Sequence, residues 1–251
     1  MLTAQRYQII LQTLTHQGIC KLNELVNLTD ASESTIRRDL DELETQGLLE
    51  RIHGGARLVT HLTSDQAQND REQLNRSEKE QIARFAVNNF VRDQQVIYLD
   101  SGTSVQEVIP YLSRFKQLSI VTNSVTTALK LSEQNMAVFL PAGHLKNTTK
   151  ALVGSATLAA LTDYHFDLAL IGTNGIAVTG ALMTPDIDEA NIKQTVIKNS
   201  TKSVVLSDPS KFKQVAFATF ATLDDISQLV TTKLSKPLAA QFTQTNIKEL
   251  S

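Results

Sequence analysis

From Gln95 onward the chain alternates short apolar runs with helix-length segments, and the runs end in Asp, Asn or Gly. QVIYLD (95–100), LSIVTN (118–123), AVFLPAG (137–143), FDLALIG (166–172) and SVVLSD (203–208) are too short and too continuously apolar to form one face of a helix. Strands of that kind need cover on both faces, and intervening helices supply it. The pattern therefore predicts an α/β domain with a mostly parallel sheet over residues 76–251. Helices are expected from about Ser104, from about Ser124, across LVGSATLAAL (152–161) and from about Asp188 to Ser200. VAFATF (215–220) and SQLVTT (227–232) read as later strands, and Pro237 to Leu250 as a helix and one candidate surface for self-association.

Residues 1–58 carry a different pattern, three short helices followed by a hairpin. The first helix spans about 3 to 16, with Tyr7, Ile10, Leu11 and Leu14 on one face and Gly18 as its stop. A second runs from Leu22 to about Leu28 on the stripe Leu22, Leu25 and Val26. In the third, Ile36, Leu40, Leu43 and Leu48 form the apolar face, Ser32 is the N-cap, Glu33 suits the helix dipole and Gly47 ends the helix. LLERIHGGARLV (48–59) then sets two β-capable runs around Gly54-Gly55. This is the outline of a winged helix-turn-helix. The polar stretch THLTSDQAQNDREQLNR (60–76) marks a linker, residues 59–75, or an exposed helical connector.

With 251 residues, 41% of them hydrophobic and 20% charged, the chain can fill two modest domains. No run approaches the roughly 18 apolar residues of a membrane span. MLTAQRYQII lacks the apolar core of a signal peptide, so a soluble cytoplasmic protein is expected. Cys20, a single cysteine, excludes an internal disulfide and a cysteine-based metal site. His16, His53, His61, His144 and His165 fall at no zinc-site spacing, so neither a metal nor another cofactor is expected. The formal charge of −2 gives no overall attraction to nucleic acid, and DNA binding must come from a local patch.

SESTIRRDLDEL (32–43) is where such a patch would lie. Arg37 and Arg38 each precede an acid by four residues, Asp41 and Glu42, and as plain surface pairs these would contribute only ~0.3–0.5 kcal/mol. On a recognition helix the same residues take another role. Ser34, Thr35, Arg37 and Arg38 lie opposite Ile36 and Leu40, at the end that enters the major groove. There hydroxyls approach phosphates and arginine binds guanine. Asp39, Asp41, Glu42 and Glu44 fall toward the later turns, away from DNA. Residues 1–57 hold six Lys/Arg against eight Asp/Glu, so the basic footprint is positional: Arg37, Arg38, Arg51, His53 and Arg57 gather on the third helix and wing.

In the second domain YLDSGTSVQEV (98–108) runs from a strand through a small-residue turn into a helix. Open amides at such a turn suit phosphate, and Asp100 at the strand end suits a sugar hydroxyl. VTNS (121–124) and SDPSKF (207–212) also follow strands, and ligands sit beyond the carboxyl ends of parallel strands. Lys211 is thus a candidate phosphate or hydroxyl partner.

NELVNLTDASESTIRRDLDELETQGLLERIHGGA (23–56) resembles the signature of the DeoR-type transcriptional regulators, most of which are sugar-responsive bacterial repressors. The likeness extends over nearly the whole chain. It implies that Thr35, Arg37 and Arg38 read or clamp operator DNA. It also implies a sensor domain similar to the ribose-5-phosphate isomerase and glucosamine-6-phosphate deaminase group. In that likeness Asp100, Gly102, Thr103 and Ser104 match the phosphate loop, Thr122, Asn123 and Ser124 a second loop, and Asp208 and Lys211 a final D-x-x-K. Glu189 falls where the isomerases keep an essential glutamate, although a helix dipole also favours an acid there. Many relatives have Gly-Gly where this chain has Ala142-Gly143, and Asp-Gly where it has Asn174-Gly175; Gly143 and Asn174 are counted with the effector residues. Asn cannot act as a general base, so Asn174 and the DNA-reading unit favour a regulator over the alternative, a sugar-phosphate isomerase-like enzyme.

Within that family MLTAQRYQIIL and LTDASESTIRRDL are most similar to the fructose-operon repressors of low-GC Gram-positive bacteria, which implies fructose 1-phosphate as inducer. Lactose-pathway repressors, responding to tagatose 6-phosphate, are the alternative. The expected partners are operator DNA and a phosphorylated sugar, with no membrane. A homodimer or homotetramer is expected because helix-turn-helix proteins usually meet symmetric half-sites.

Overall fold

A computed structural model describes residues 2–45, 48–58, 62 and 67–250. The chain divides into two compact units, Met1–His61 and Leu62–Ser251. In the first, the order is α1 (Thr3–Gln17), β1 (Ile19–Lys21), α2 (Leu22–Thr29), α3 (Glu33–Thr45), β2 (Leu49–Ile52) and β3 (Gly55–Leu58). Ile10, Leu14, Leu25, Ile36, Leu40 and Leu43 close a dry core between the helices. Gly18 stops α1 at a φ of 74°, and Ser32 Oγ accepts the Thr35 N–H at 3.2 Å, so stop and cap lie where the sequence sets them. Leu48 is a correction: it lies beyond α3 and is exposed. Gly47 lies outside the described residues.

Two features of this unit were not expected. β1 pairs antiparallel with β3, giving a three-stranded sheet of order β1-β3-β2. The wing is therefore anchored to the helix-bearing half, and a Cβ on Gly55 would lie only 2.1 Å from the Cys20 carbonyl oxygen, which restricts that position to glycine. Burial, with Glu24 beside it, pushes the Cys20 thiol up to about 12, so Cys20 is an inert core residue. Asp39, one of the acids placed toward the later turns of α3, is 4% exposed. Its carboxylate accepts Arg6 Nε at 2.6 Å and a second Arg6 nitrogen at 3.0 Å, a two-pronged bond that ties α1 to α3.

The second unit runs α4 (Gln68–Gln73), α5 (Arg76–Phe90), β4 (Val96–Leu99), α6 (Thr103–Gln106), β5 (Ser119–Thr122), α7 (Val125–Glu133), β6 (Val138–Phe139), β7 (His144–Lys146), β8 (Ala151–Val153), α8 (Ser155–Thr162), β9 (Phe166–Gly172), β10 (Gly175–Ile176) and β11 (Ala181–Thr184). It continues with α9 (Ile187–Lys198), β12 (Ser200–Leu206), β13 (Ala218–Thr222), β14 (Gln228–Thr231), α10 (Lys236–Ala239) and β15 (Ile247–Glu249). Among the described residues the main sheet has seven strands in the order β15-β14-β12-β9-β4-β5-β6, every pair parallel. Side chains alternate through it. Tyr98, Ala169, Ile171 and Val205 meet Leu161 of α8 and Ile192 and Val196 of α9 on one face. Ile97, Leu99, Leu168, Leu170, Val204 and Leu206 meet Ile82, Ala86 and Val87 of α5 on the other. Burial of both faces is what continuous apolar runs demand.

Several boundaries differ from expectation. Residues 67–75, expected in the linker, pack within the second unit: Gln68 is buried and its N–H donates to Thr148 O at 3.0 Å. Leu152 and Val153 belong to β8 and precede α8. The helix after β4 is only α6, followed by a 3₁₀ turn, Ile109–Tyr111, in which Pro110 stops α-helical pairing. VAFATF contributes β13 to a separate antiparallel sheet, β10-β11-β13. Most of 237–250 is not helical: α10 ends at Ala239 and β15 pairs with β14, so the expected self-association helix does not exist.

Candidate functional site

On the first unit, Ser34, Arg37 and Arg38 are exposed on α3, Thr35 is half-buried, and Ile36 and Leu40 face the core. Ser32 Oγ lies 2.9 Å from Ser34 Oγ and 2.8 Å from Thr35 Oγ1, so the three hydroxyls form one connected set at the helix start. Arg37 pairs with Glu33 at 2.5 Å and not with Asp41 as expected. Asp41 instead takes Arg51 of β2, and Arg57 of β3 pairs with Glu50 at 2.7 Å. His53 is exposed in the wing turn beside Gly54. Such exposed pairs contribute about 0–1 kcal/mol, so a phosphate can displace their acids. Arg38 has no ion pair among the described residues.

In the second unit the chain order sets where neighbouring strands lead their loops apart. From β4 the strands proceed through β5 to β6; β9 then returns to the opposite side of β4 and is followed outward by β12, β14 and β15. The reversal between β4 and β9 is the point where open parallel sheets hold ligands. Asp100, just after β4, is 1% exposed; its Oδ2 accepts Lys193 Nζ at 2.5 Å and the Gly172 N–H at 3.0 Å. Lys193 also donates to Gly172 O at 3.1 Å. A Cβ on Gly102 would meet the Gly172 Cα at 3.1 Å, so the two loops touch backbone to backbone. Thr103 is buried and Ser104 half-buried at the start of α6.

One turn before Lys193 on α9, Glu189 is 4% exposed and accepts Lys146 Nζ at 3.2 Å and Thr149 Oγ1 at 2.7 Å. It is both a first-turn acid and a held group. Thr122, Asn123 and Ser124 are buried and committed to the framework. Thr122 Oγ1 accepts the Ser124 N–H at 3.1 Å, Asn123 Oδ1 accepts the Tyr98 hydroxyl at 2.8 Å, and Ser124 Oγ caps α7. Asn174 is half-buried, its N–H donating to Met183 O at 3.0 Å. Gly143 is exposed before β7 and packs on α8, where a Cβ would fall 2.0 Å from Thr157 Oγ1.

Against the third loop stand two residues that the sequence reading missed, Asn75 and Lys79. Asp208, 1% exposed, accepts Asn75 Nδ2 at 2.9 Å, Ser210 N at 3.0 Å and Ser210 Oγ at 2.5 Å. Lys211 is half-buried beside it. Lys79 of α5 is 4% exposed, donates to Arg71 O, and feels the charges of Asp208, Lys211 and Arg71. Its signal lay in α5, where Lys79 shares a stripe with the buried Ile82, Ala83 and Ala86. Burial brings Lys79 down from 10.5 to about 8, with Lys211 and Arg71 acting the same way against Asp208. Between those two values the unfolded chain binds one proton more than the folded chain, so this lysine makes stability rise with pH across the window. Melting curves of the wild type and Lys79→Met from pH 7.5 to about 10 should diverge accordingly; parallel curves would mean that the ammonium is not disfavoured in the fold.

A winged helix with hydroxyls and arginines exposed on α3, followed in the chain by an α/β domain with a buried cluster of charged residues at its switch point, fits a ligand-responsive DNA-binding regulator. Residues 6–61 match the DeoR-like helix-turn-helix domain and residues 74–233 the DeoR C terminal sensor domain, and the chain belongs to the DeoR family. It is 38% identical to the uncharacterized HTH-type transcriptional regulator FruR of Bacillus subtilis (strain 168), over 92% of each chain. The Glycerol-3-phosphate regulon repressor of Escherichia coli (strain K12) is 31% identical, over 92% of this chain and 91% of that one. Among solved structures, ribose 5-phosphate isomerase from Plasmodium falciparum is similar, with a TM-score of 0.41 and 19% identity over 54% of this chain and 52% of that one. The relatives are regulators, and the chain is a transcriptional regulator and not an isomerase. Among the described residues no helix is long and apolar enough to cross a membrane.

Proposed function

We propose that the chain represses a sugar-utilisation operon and leaves its operator when a phosphorylated sugar, fructose 1-phosphate first among candidates, enters the cleft of the second unit. In this reading residues 1–58 bind DNA through Ser34, Thr35, Arg37, Arg38, Arg51, His53 and Arg57. The loops carrying Asp100, Gly102, Thr103 and Ser104, with Asn174, Glu189, Asp208 and Lys211, receive the effector. Thr122, Asn123, Ser124 and Gly143 shape the loops around it. The observation that carries the reading is the buried, charge-rich arrangement at the strand ends, where Lys79 and Lys211 offer cations to a phosphate and Asp100, Glu189 and Asp208 offer acceptors to hydroxyls. The name of the Bacillus subtilis relative supports fructose as the sugar. A homodimer or homotetramer binds the two halves of the operator.

Gel-shift titration on DNA from immediately upstream of its own gene tests this, with fructose 1-phosphate, tagatose 6-phosphate and glycerol 3-phosphate as separate arms. Release by fructose 1-phosphate alone is the expected result; release by either other compound reassigns the inducer, and turnover of a phosphosugar without DNA retention overturns the regulator reading. Lys211→Ala should bind fructose 1-phosphate at least about 10-fold more weakly, the loss of one charge-assisted bond, while holding the operator normally. Calorimetry on the free protein measures the first half, and gel shift in the presence of inducer the second.

A further inference from the structure

From residue 67 the second unit begins with a stretch that is fastened to three loops of the cleft. At its start the Gln68 N–H donates to Thr148 O at 3.0 Å, in the β7–β8 turn whose Thr149 holds Glu189 at 2.7 Å. The Gln68 side chain is 3% exposed, and its Oε1 accepts Thr126 Oγ1 at 3.2 Å, two residues past the loop 122–124. Its Nε2 has no acceptor among the described residues. At the far end Asn75 Nδ2 donates to Asp208 Oδ1 at 2.9 Å and to Ser210 Oγ at 3.3 Å.

Asp208 Oδ1 is crowded. It accepts from Asn75 Nδ2, from Ser210 N and from Ser210 Oγ, whereas a carboxylate oxygen offers about two lone-pair sites. A sugar hydroxyl arriving at this oxygen has to displace a donor. Ser210 belongs to the same tight turn as Asp208, so the donor that leaves is Asn75, which belongs to the chain on its way to the DNA-binding unit.

We propose that Asn75 and Gln68 are positioning residues that relay occupancy of the cleft: a hydroxyl on Asp208 frees Asn75, and α4 moves to a second arrangement that alters operator affinity. This rests on the cleft reading above. Coupling of this kind is a ratio of two affinities, and it can be removed without removing either one. Asn75 has a φ of 52°, so Asn75→Gly deletes the amide while keeping a residue at ease in that conformation.

The test measures, for the wild type, Asn75→Gly and Gln68→Ala, the affinity for fructose 1-phosphate by calorimetry and the operator affinity with and without saturating fructose 1-phosphate. Both variants should bind the sugar within about 3-fold of wild type, while the factor by which sugar changes operator affinity falls at least about 5-fold. A responsive wild type with equally responsive variants overturns the relay alone. Variants that no longer bind the sugar overturn it too, because the residues would then build the cleft. A wild type that binds none of fructose 1-phosphate, tagatose 6-phosphate and glycerol 3-phosphate in the same calorimeter overturns the cleft reading and the relay with it.

Discussion

Arg38→Ala is expected to weaken operator binding by about 1–3 kcal/mol, roughly 5- to 150-fold, with fructose 1-phosphate binding unchanged. Arg38 is exposed on α3 and no ion pair holds it among the described residues, so on the proposed reading its full hydrogen-bonding fork is available to a guanine edge. Arg37→Ala should cost less, since Arg37 must first leave Glu33, 2.5 Å away. The ordering is the informative part. If Arg37→Ala were the more damaging change, the helix would be docked with a different face in the groove, and normal binding by both variants would remove α3 from the interface. Fluorescence anisotropy at two salt concentrations separates a base contact from a phosphate contact, because loss of a phosphate contact lowers the salt slope by about one.

Lys193→Met should destabilise the second unit by about 3–5 kcal/mol, the cost of leaving a buried carboxylate without its cation. Asp100 and Lys193 are 1% and 3% exposed, and each reaches Gly172 as well as the other. The double variant Asp100→Asn/Lys193→Met removes both charges and should recover most of that loss, since an amide and a thioether are far cheaper to bury than a lone carboxylate. Urea unfolding of the three proteins gives the comparison. A single variant within 1 kcal/mol of wild type would show that water reaches Asp100 freely, contrary to its burial.

Legibility divided along the distinction between local and non-local causes. Gly18, the Ser32 cap and the parallel strands were readable because each follows from residues next to one another in the chain. Asn75, Lys79 and Lys193 were not, because their roles depend on partners far along the chain: Asp208 for the first two and Asp100 for the third. β1 escaped for a similar reason. Three residues, Ile19–Lys21, carry no strand signal of their own and become one only because β3 lies alongside. The end of the chain shows the opposite error, where helix-compatible residues after Pro237 were drawn into β15 by the open edge of β14. The burial of Asp39 was not legible either, because helical spacing alone does not say that Arg6 waits on the inner side.

The seven-stranded sheet has a consequence for how relatives diversify. Its strands are dry on both sides, so exchange of almost any inward residue damages the platform. The groups proposed to meet a small molecule sit instead at the tips of β4, β9 and β12 and in the turn between β7 and β8, each held by partners of its own rather than by the sheet. On the proposed effector reading, a lineage retunes which metabolite it answers to by exchanging tip residues together with the partners that hold them, as Asp100 with Lys193, while the sheet beneath passes on unaltered.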